Sequence, residues 1–134
     1  MTLYLLDTNA VSDLADNPTG PVAAKIAEIG VDKVATSIIV GAEIAFGLQW
    51  KQSARLNEQM RKVLSSLTML PLEAPADEHY GVVRASLKRL GRPIGPNDLF
   101  IAAHALALGA ILVTANTGEF SRVPGLKTEN WLRV

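Results

Sequence analysis

Short apolar runs alternate with longer stretches in which apolar residues recur every three or four positions, the pattern of strands alternating with helices. Leu3 to Leu6 reads as a buried strand bounded by polar residues. Val34-Ala35-Thr36 reads as a second, Pro71 and Pro75 bracket a third, and Ala110-Ile111-Leu112-Val113-Thr114 reads as a fourth. The helices are marked by their ends. Thr8 or Asn9 caps a short helix from Ala10 to Ala15 that Asn17-Pro18 stops, and Pro21 opens another that runs to Ile29 and halts at Gly30. Ser37 caps an apolar helix from Ile38 to about Trp50, weakened by Gly41 and Gly47. Leu56, Met60, Val63, Leu64 and Leu67 form an amphipathic stripe over residues 55–67. Val82, Val83, Leu87 and Leu90 form a second, ended by Gly91-Arg92-Pro93. The loop over residues 93–97 leads into a helix at Asp98 that is apolar nearly all round and that Gly109 ends.

This alternation implies an α/β fold with a central parallel sheet of four or five short strands, covered by helices on both faces. Sites in such sheets lie beyond the carboxyl ends of the strands, where Asp7 and Asn116 both fall. No repeat, low-complexity tract or linker divides the 134 residues, so one domain over residues 1–134 is expected.

Composition narrows the classes. A hydrophobic fraction of 49% against 19% charged residues argues against disorder and leaves apolar surface for a partner or a second copy. Cysteine is absent, which removes disulfides, thiolate zinc sites and a cysteine nucleophile, and is compatible with the cytoplasm. The first residues lack a basic leader and reach Asp7 early, so the mature chain is expected to start at Met1, and no apolar run approaches a membrane span. Net charge is zero but unevenly spread: residues 1–60 carry seven acids and four bases, residues 61–134 six acids and nine bases. Arg84, Lys88, Arg89 and Arg92 crowd together before Asp98, a local strip able to hold phosphates.

Three acids stand where a soluble domain usually has a hydrophobe. Asp7 closes the first strand, Glu43 interrupts the apolar helix after Ser37, and Asp98 opens the central helix. Taken singly, Asp7 can be a helix cap, Asp98 an answer to the helix dipole and Glu43 half of an ion pair. Taken together, buried anions require a cation, and hard oxygen ligands suit Mg²⁺ or Mn²⁺. Asn116 and Glu119, after the last apolar strand, add an amide and a fourth acid. His104, inside an apolar helix, is expected to be a packed, hydrogen-bonded core residue, and His79 has no catalytic role.

The segments Leu5-Leu6-Asp7-Thr8-Asn9, Thr36-Ser37 through Glu43 and Gly47, Ile94-Gly95-Pro96-Asn97-Asp98 with Ile101-Ala102-Ala103-His104-Ala105, and Leu112-Val113-Thr114 through Asn116, Glu119-Phe120 and Val123-Pro124-Gly125-Leu126 occur in order over nearly the whole chain. Together they resemble a PIN domain, and more narrowly the VapC-type toxins of bacterial toxin-antitoxin modules. The resemblance implies a three-layer α/β/α sandwich and a metal-dependent endoribonuclease in which Asp7, Glu43 and Asp98 hold Mg²⁺ or Mn²⁺. Many PIN domains carry a fourth aspartate after the last core strand. This chain has Asn116 there and Glu119 three residues on, which opens the question of a second metal and implies an auxiliary catalytic role for both. Thr8, Asn9 and Thr114 match polar positions that support the ligands.

The resemblance further implies an RNA substrate, tRNA first among structured RNAs, with Arg84, Lys88, Arg89 and Arg92 on its phosphates. It implies a homodimer, and a VapB-type antitoxin that blocks the site in a toxin-antitoxin hetero-oligomer. Phe46, Leu48 and Trp50 are candidates to line the antitoxin groove. Two other classes compete. A haloacid-dehalogenase-like phosphatase would use Asp7 as nucleophile but needs a second aspartate where Asn9 stands. A non-catalytic partner-binding domain would not need all three acids.

Overall fold

The computed structural model describes residues 2–132, so the expected start at Met1 lies outside the described residues, as do Arg133 and Val134. Five strands form one wholly parallel sheet in the order β3-β2-β1-β4-β5: β1 Tyr4–Leu6, β2 Val34–Ser37, β3 Thr68–Leu70, β4 Ile111–Val113 and β5 Thr128–Glu129. The helices are α1 Thr8–Asp16, α2 Pro21–Ile29, α3 Ile38–Lys51, α4 Ala54–Ser66, α5 Ala76–Arg89, α6 Pro96–Leu108 and α7 Thr117–Phe120, with a single 3₁₀ turn at Val31–Lys33. The chain steps outward from β1 to β3, then crosses back to β4 on the other side of β1. Right-handed crossovers running in opposite directions put their helices on opposite faces, which yields the α/β/α layering. Leu5, Leu6, Leu112 and Val113 are fully buried at its centre.

The ends of several elements differ from the sequence expectation. The third strand lies before Pro71 rather than between Pro71 and Pro75, because Thr68–Leu70 pairs with Ala35–Ser37 and proline cannot donate to that ladder. The cap of α1 is Asp7, whose Oδ1 accepts from the Ala10 amide at 3.0 Å, so Thr8 and Asn9 fall inside the helix. Helix α6 starts at Pro96, two residues early, since proline at the first helical position needs no donor. In the α5 stripe only Val83 and Leu87 are buried, while Val82 and Leu90 face solvent. No helix among the described residues is long and apolar enough to cross a membrane.

Gly109 ends α6 at φ 64°, a left-handed conformation that opposes a Cβ. Gly109→Ala is expected to cost about 1 kcal/mol, read as a lower denaturation midpoint with no change in denaturant slope.

Candidate functional site

The order in which strands are added reverses between β1 and β4, and their carboxyl ends open one crevice, where ligands bind in folds of this kind. Asp7 lies there because its amide continues the ladder to the Val113 carbonyl at 3.0 Å while its carboxylate caps α1. Thr114 extends β4 on the adjacent strand. Glu43 comes from the second turn of α3, fixed by Ser37 at its cap, and Asp98 from the first turn of α6. Asp7, Thr8, Asn9, Glu43, Asp98, Ile101 and Asn116 line one pocket of about 160 Å³. Glu119, on α7, accepts from the Asn116 amide at 3.5 Å and lies near enough to act on the Asp98 carboxyl.

Among the described residues the acids have no cationic partner. The two ion pairs among the described residues, Lys25 with Glu28 and Arg61 with Glu58, are both elsewhere on the surface. Asp7 is 5% exposed, and its carboxyl is raised above the usual range, first by burial and slightly by the charge of Glu43; the Thr114 hydroxyl and the Ala10 and Asn9 amides oppose the rise. Asp98 is pushed up to about 7, first by burial, then by its hydrogen bond with Glu119, then by the charges of Glu119, Glu43 and Asp7. Burial and the neighbouring acids thus act in the same direction, each disfavouring the charged form of Asp98. Glu43 accepts a 2.6 Å hydrogen bond from the Thr8 hydroxyl.

As these side chains stand, no three His, Asp or Glu residues among the described residues are arranged to hold a metal ion. Asp7 instead accepts from the Ala10 amide and Glu43 from the Thr8 hydroxyl. The chemistry of the donors still fits a hard cation: several acids in one polar pocket, one of them nearly fully buried, with no lysine or arginine among the described residues that line it. Thr8→Val is expected to weaken Mn²⁺ binding by about tenfold, measured by calorimetric titration, with the fold preserved.

His104 is buried in α6, with Nδ1 2.8 Å from the Ser37 hydroxyl, outside the acid pocket. Burial lowers its pKa, countered in part by the Pro71 carbonyl, so the ring is neutral at pH 7. The four basic residues lie apart from the acids. Arg84, Lys88 and Arg89 are exposed along α5, and Arg92 lies in the loop before α6. Arg84 and Lys88 line a separate cleft with Tyr80, Leu87, Pro93, Ile94, Pro96 and Leu99.

A third feature could not be found from spacing alone. Helices α1, α3 and α4 enclose a groove of about 300 Å³ lined by Ser12, Ala15, Ile44, Leu48, Leu56 and Met60 among others. Thr8 and Glu43 line both this groove and the acid pocket. Leu48 lies in it; Phe46 and Trp50 do not, but stack on each other at 6.4 Å in solvent, 70% and 78% exposed.

Residues 4–126 match the PIN domain family. The chain is 36% identical over 132 residues to the tRNA(fMet)-specific endonuclease VapC of Shigella flexneri, covering 98% of this chain and 99% of that one. It is 37% identical over 139 residues to ribonuclease VapC1 of Haemophilus influenzae strain R2866, with 98% and 99% covered. Its fold superimposes with a TM-score of 0.87, at 33% identity and 97% and 99% coverage, on a chain from the crystal structure of VapBC2 from Rickettsia felis bound to a DNA fragment from their promoter. These relatives are nucleases of one kind, which decides against the phosphatase reading of Asp7. The chain belongs to the PIN-domain family, in its VapC branch.

Proposed function

We propose that this protein is a divalent-metal-dependent endoribonuclease, the toxin of a toxin-antitoxin pair, acting on structured RNA in the cytoplasm with tRNA as the leading substrate. One observation carries the reading: acids from the end of β1, the middle of α3 and the start of α6 meet in one pocket beside the end of β4, without a protein cation. Asp7, Glu43 and Asp98 would hold Mg²⁺ or Mn²⁺, once Glu43 turns from Thr8 and Asp98 is deprotonated. A bound divalent ion supplies Lewis-acid polarisation of the phosphodiester and a more acidic water.

The chain's own groups do the rest. The Thr114 hydroxyl and the Ala10 amide hold Asp7 in a fixed orientation, and Thr8 limits where Glu43 can swing. Glu119, near Asp98 and accepting from Asn116 at 3.5 Å, has with Asn116 an auxiliary role at the edge of the pocket. Attack by water leaves a 5′-phosphate and a 3′-hydroxyl. Arg84, Lys88, Arg89 and Arg92 hold RNA phosphates.

The antitoxin reading rests on the groove. Its apolar lining and open shape suit an amphipathic segment, and the residues it shares with the acid pocket would let a basic side chain of that segment reach Glu43. Antitoxin and metal would then exclude one another. The exposed Phe46 and Trp50 on α3 offer apolar area for the partner or for a second copy of the chain.

Purified, antitoxin-free protein incubated with total tRNA is expected to cut it in Mg²⁺ or Mn²⁺ and to lose that activity in excess chelator, read on denaturing gels. Equal cleavage in chelator would overturn the metal mechanism.

A further inference from the structure

The cleft between α5 and the start of α6 differs from the acid pocket in every respect. It is about 480 Å³, within the range of small-ligand sites, and its walls are Tyr80, Leu87, Ile94, Leu99 and two prolines, with Arg84 and Lys88 as its charged members. No acid lines it. Tyr80 is held as a fixed plate by Phe100, whose ring stacks on it at 4.5 Å and 23°. Arg84 sits over the same tyrosine, its guanidinium carbon 5.9 Å from the ring centroid and its Nη1 donating to the phenol oxygen at 3.1 Å.

The two sites share one helical turn. Pro96 and Leu99 of α6 line the cleft, while Asp98 and Ile101 line the acid pocket, so the sites flank a helix roughly 10–12 Å across. A phosphodiester at the acids would leave neighbouring nucleotides beside the cleft. Bare phosphate has no use for apolar walls and a braced aromatic ring; an unstacked base does, because every base has a π-face and an apolar edge. The planar guanidinium of Arg84 can stack on that base or fork onto its acceptors, which an ammonium cannot.

We infer that this cleft is a nucleobase subsite, in which a base flanking the cleaved phosphate lies against Tyr80 and Arg84 while Lys88 neutralises the adjoining phosphate. The assignment rests on the ribonuclease reading and adds selection to it. Contact with a base gives the enzyme a preference at one position beside the cut, whereas a strip of cations alone gives none.

The test uses the full chain with Mn²⁺, total tRNA to find the cut, and then a synthetic stem-loop carrying that cut with single abasic nucleotides scanned on either side. One abasic position is expected to raise KM by about tenfold with kcat little changed. Arg84→Lys, which keeps the charge and loses the plane, is expected to raise KM on the intact stem-loop to a similar degree and to be insensitive to the same abasic position. Unfolding midpoints and sedimentation are measured alongside. Arg84→Lys matching the unsubstituted enzyme, or an abasic scan without a sensitive position, would overturn the subsite and leave the nuclease standing. A change of oligomeric state in Arg84→Lys with unaltered cleavage per chain would make the cleft an interface between copies and overturn the subsite as well. No cleavage of any RNA by the unsubstituted protein in Mn²⁺ would overturn both readings.

Discussion

Asp98→Asn is expected to lower RNA cleavage by about 10³-fold or more while leaving the metal-free protein at least as stable as before. The loss follows from the role assigned to the carboxylate: a ligand of an ion that stabilises several kcal/mol of developing charge, each 1.36 kcal/mol being a factor of ten. The stability half is less usual and comes from the site's electrostatics. Asp98 is pushed up to about 7 by burial and by Glu119, Glu43 and Asp7, so above that pH the folded chain carries an anion it would rather not have. Asparagine has nearly the same shape, carries no charge, and offers an NH₂ to Glu119. Asp7→Asn is expected to be equally inactive, and its amide oxygen can still cap α1, as asparagine does well. Cleavage of tRNA in Mn²⁺ and thermal unfolding in chelator at pH 8 check both halves. An active Asp98→Asn enzyme would remove Asp98 from the metal, and a collapsed one would make it a structural residue.

Such a trade between stability and function explains why the acids were visible in the sequence. A residue that destabilises its own fold stands out against a hydrophobic pattern: Asp7 closes an apolar strand, Glu43 interrupts an apolar helix and Asp98 opens another. Helix ends marked by Pro21, Gly30, Ser37 and Gly109 were legible for a similar reason, since each answers a local backbone demand. What escaped was decided by tertiary pairing. Thr68–Leu70 is no more strand-like than the residues after Pro71; it is a strand because β2 offers it a parallel edge. The two-residue β5 carries no periodic signal and exists only through its ladder with β4. The sequence offers Asp7, Thr8 and Asn9 as caps of the first helix, and it is Asp7 that caps it, from within the acid pocket. The groove between α1, α3 and α4 is made by side chains far apart in sequence, whereas the cleft beside Tyr80 joins one helical row of α5, Tyr80, Arg84, Leu87 and Lys88, to the loop and first turn of α6, a pairing set by the packing of the two helices.

Divalent metal is expected to stabilise the fold, and by more as pH rises from about 5.5 to 8. In the metal-free protein both Asp7 and Asp98 have folded pKa values above their unfolded ones. A raised carboxyl group favours the folded state below the unfolded pKa, and that contribution is lost as pH climbs through the folded value, near 7 for Asp98. Metal-free stability is therefore expected to fall across this window. Binding of the ion runs the other way, because its ligands must be deprotonated, so affinity grows as Asp98 loses its proton. At a hundredfold excess over Kd the ion adds about 2.7 kcal/mol, or roughly 5 to 10 °C in a domain of this size. Thermal unfolding with Mn²⁺ and with chelator at pH 5.5, 7 and 8 measures the increment. Asp98→Asn should lose most of the increment and flatten its pH dependence. An increment independent of pH, or undiminished in Asp98→Asn, would mean that the ion binds elsewhere and that the titration of Asp98 has no part in it.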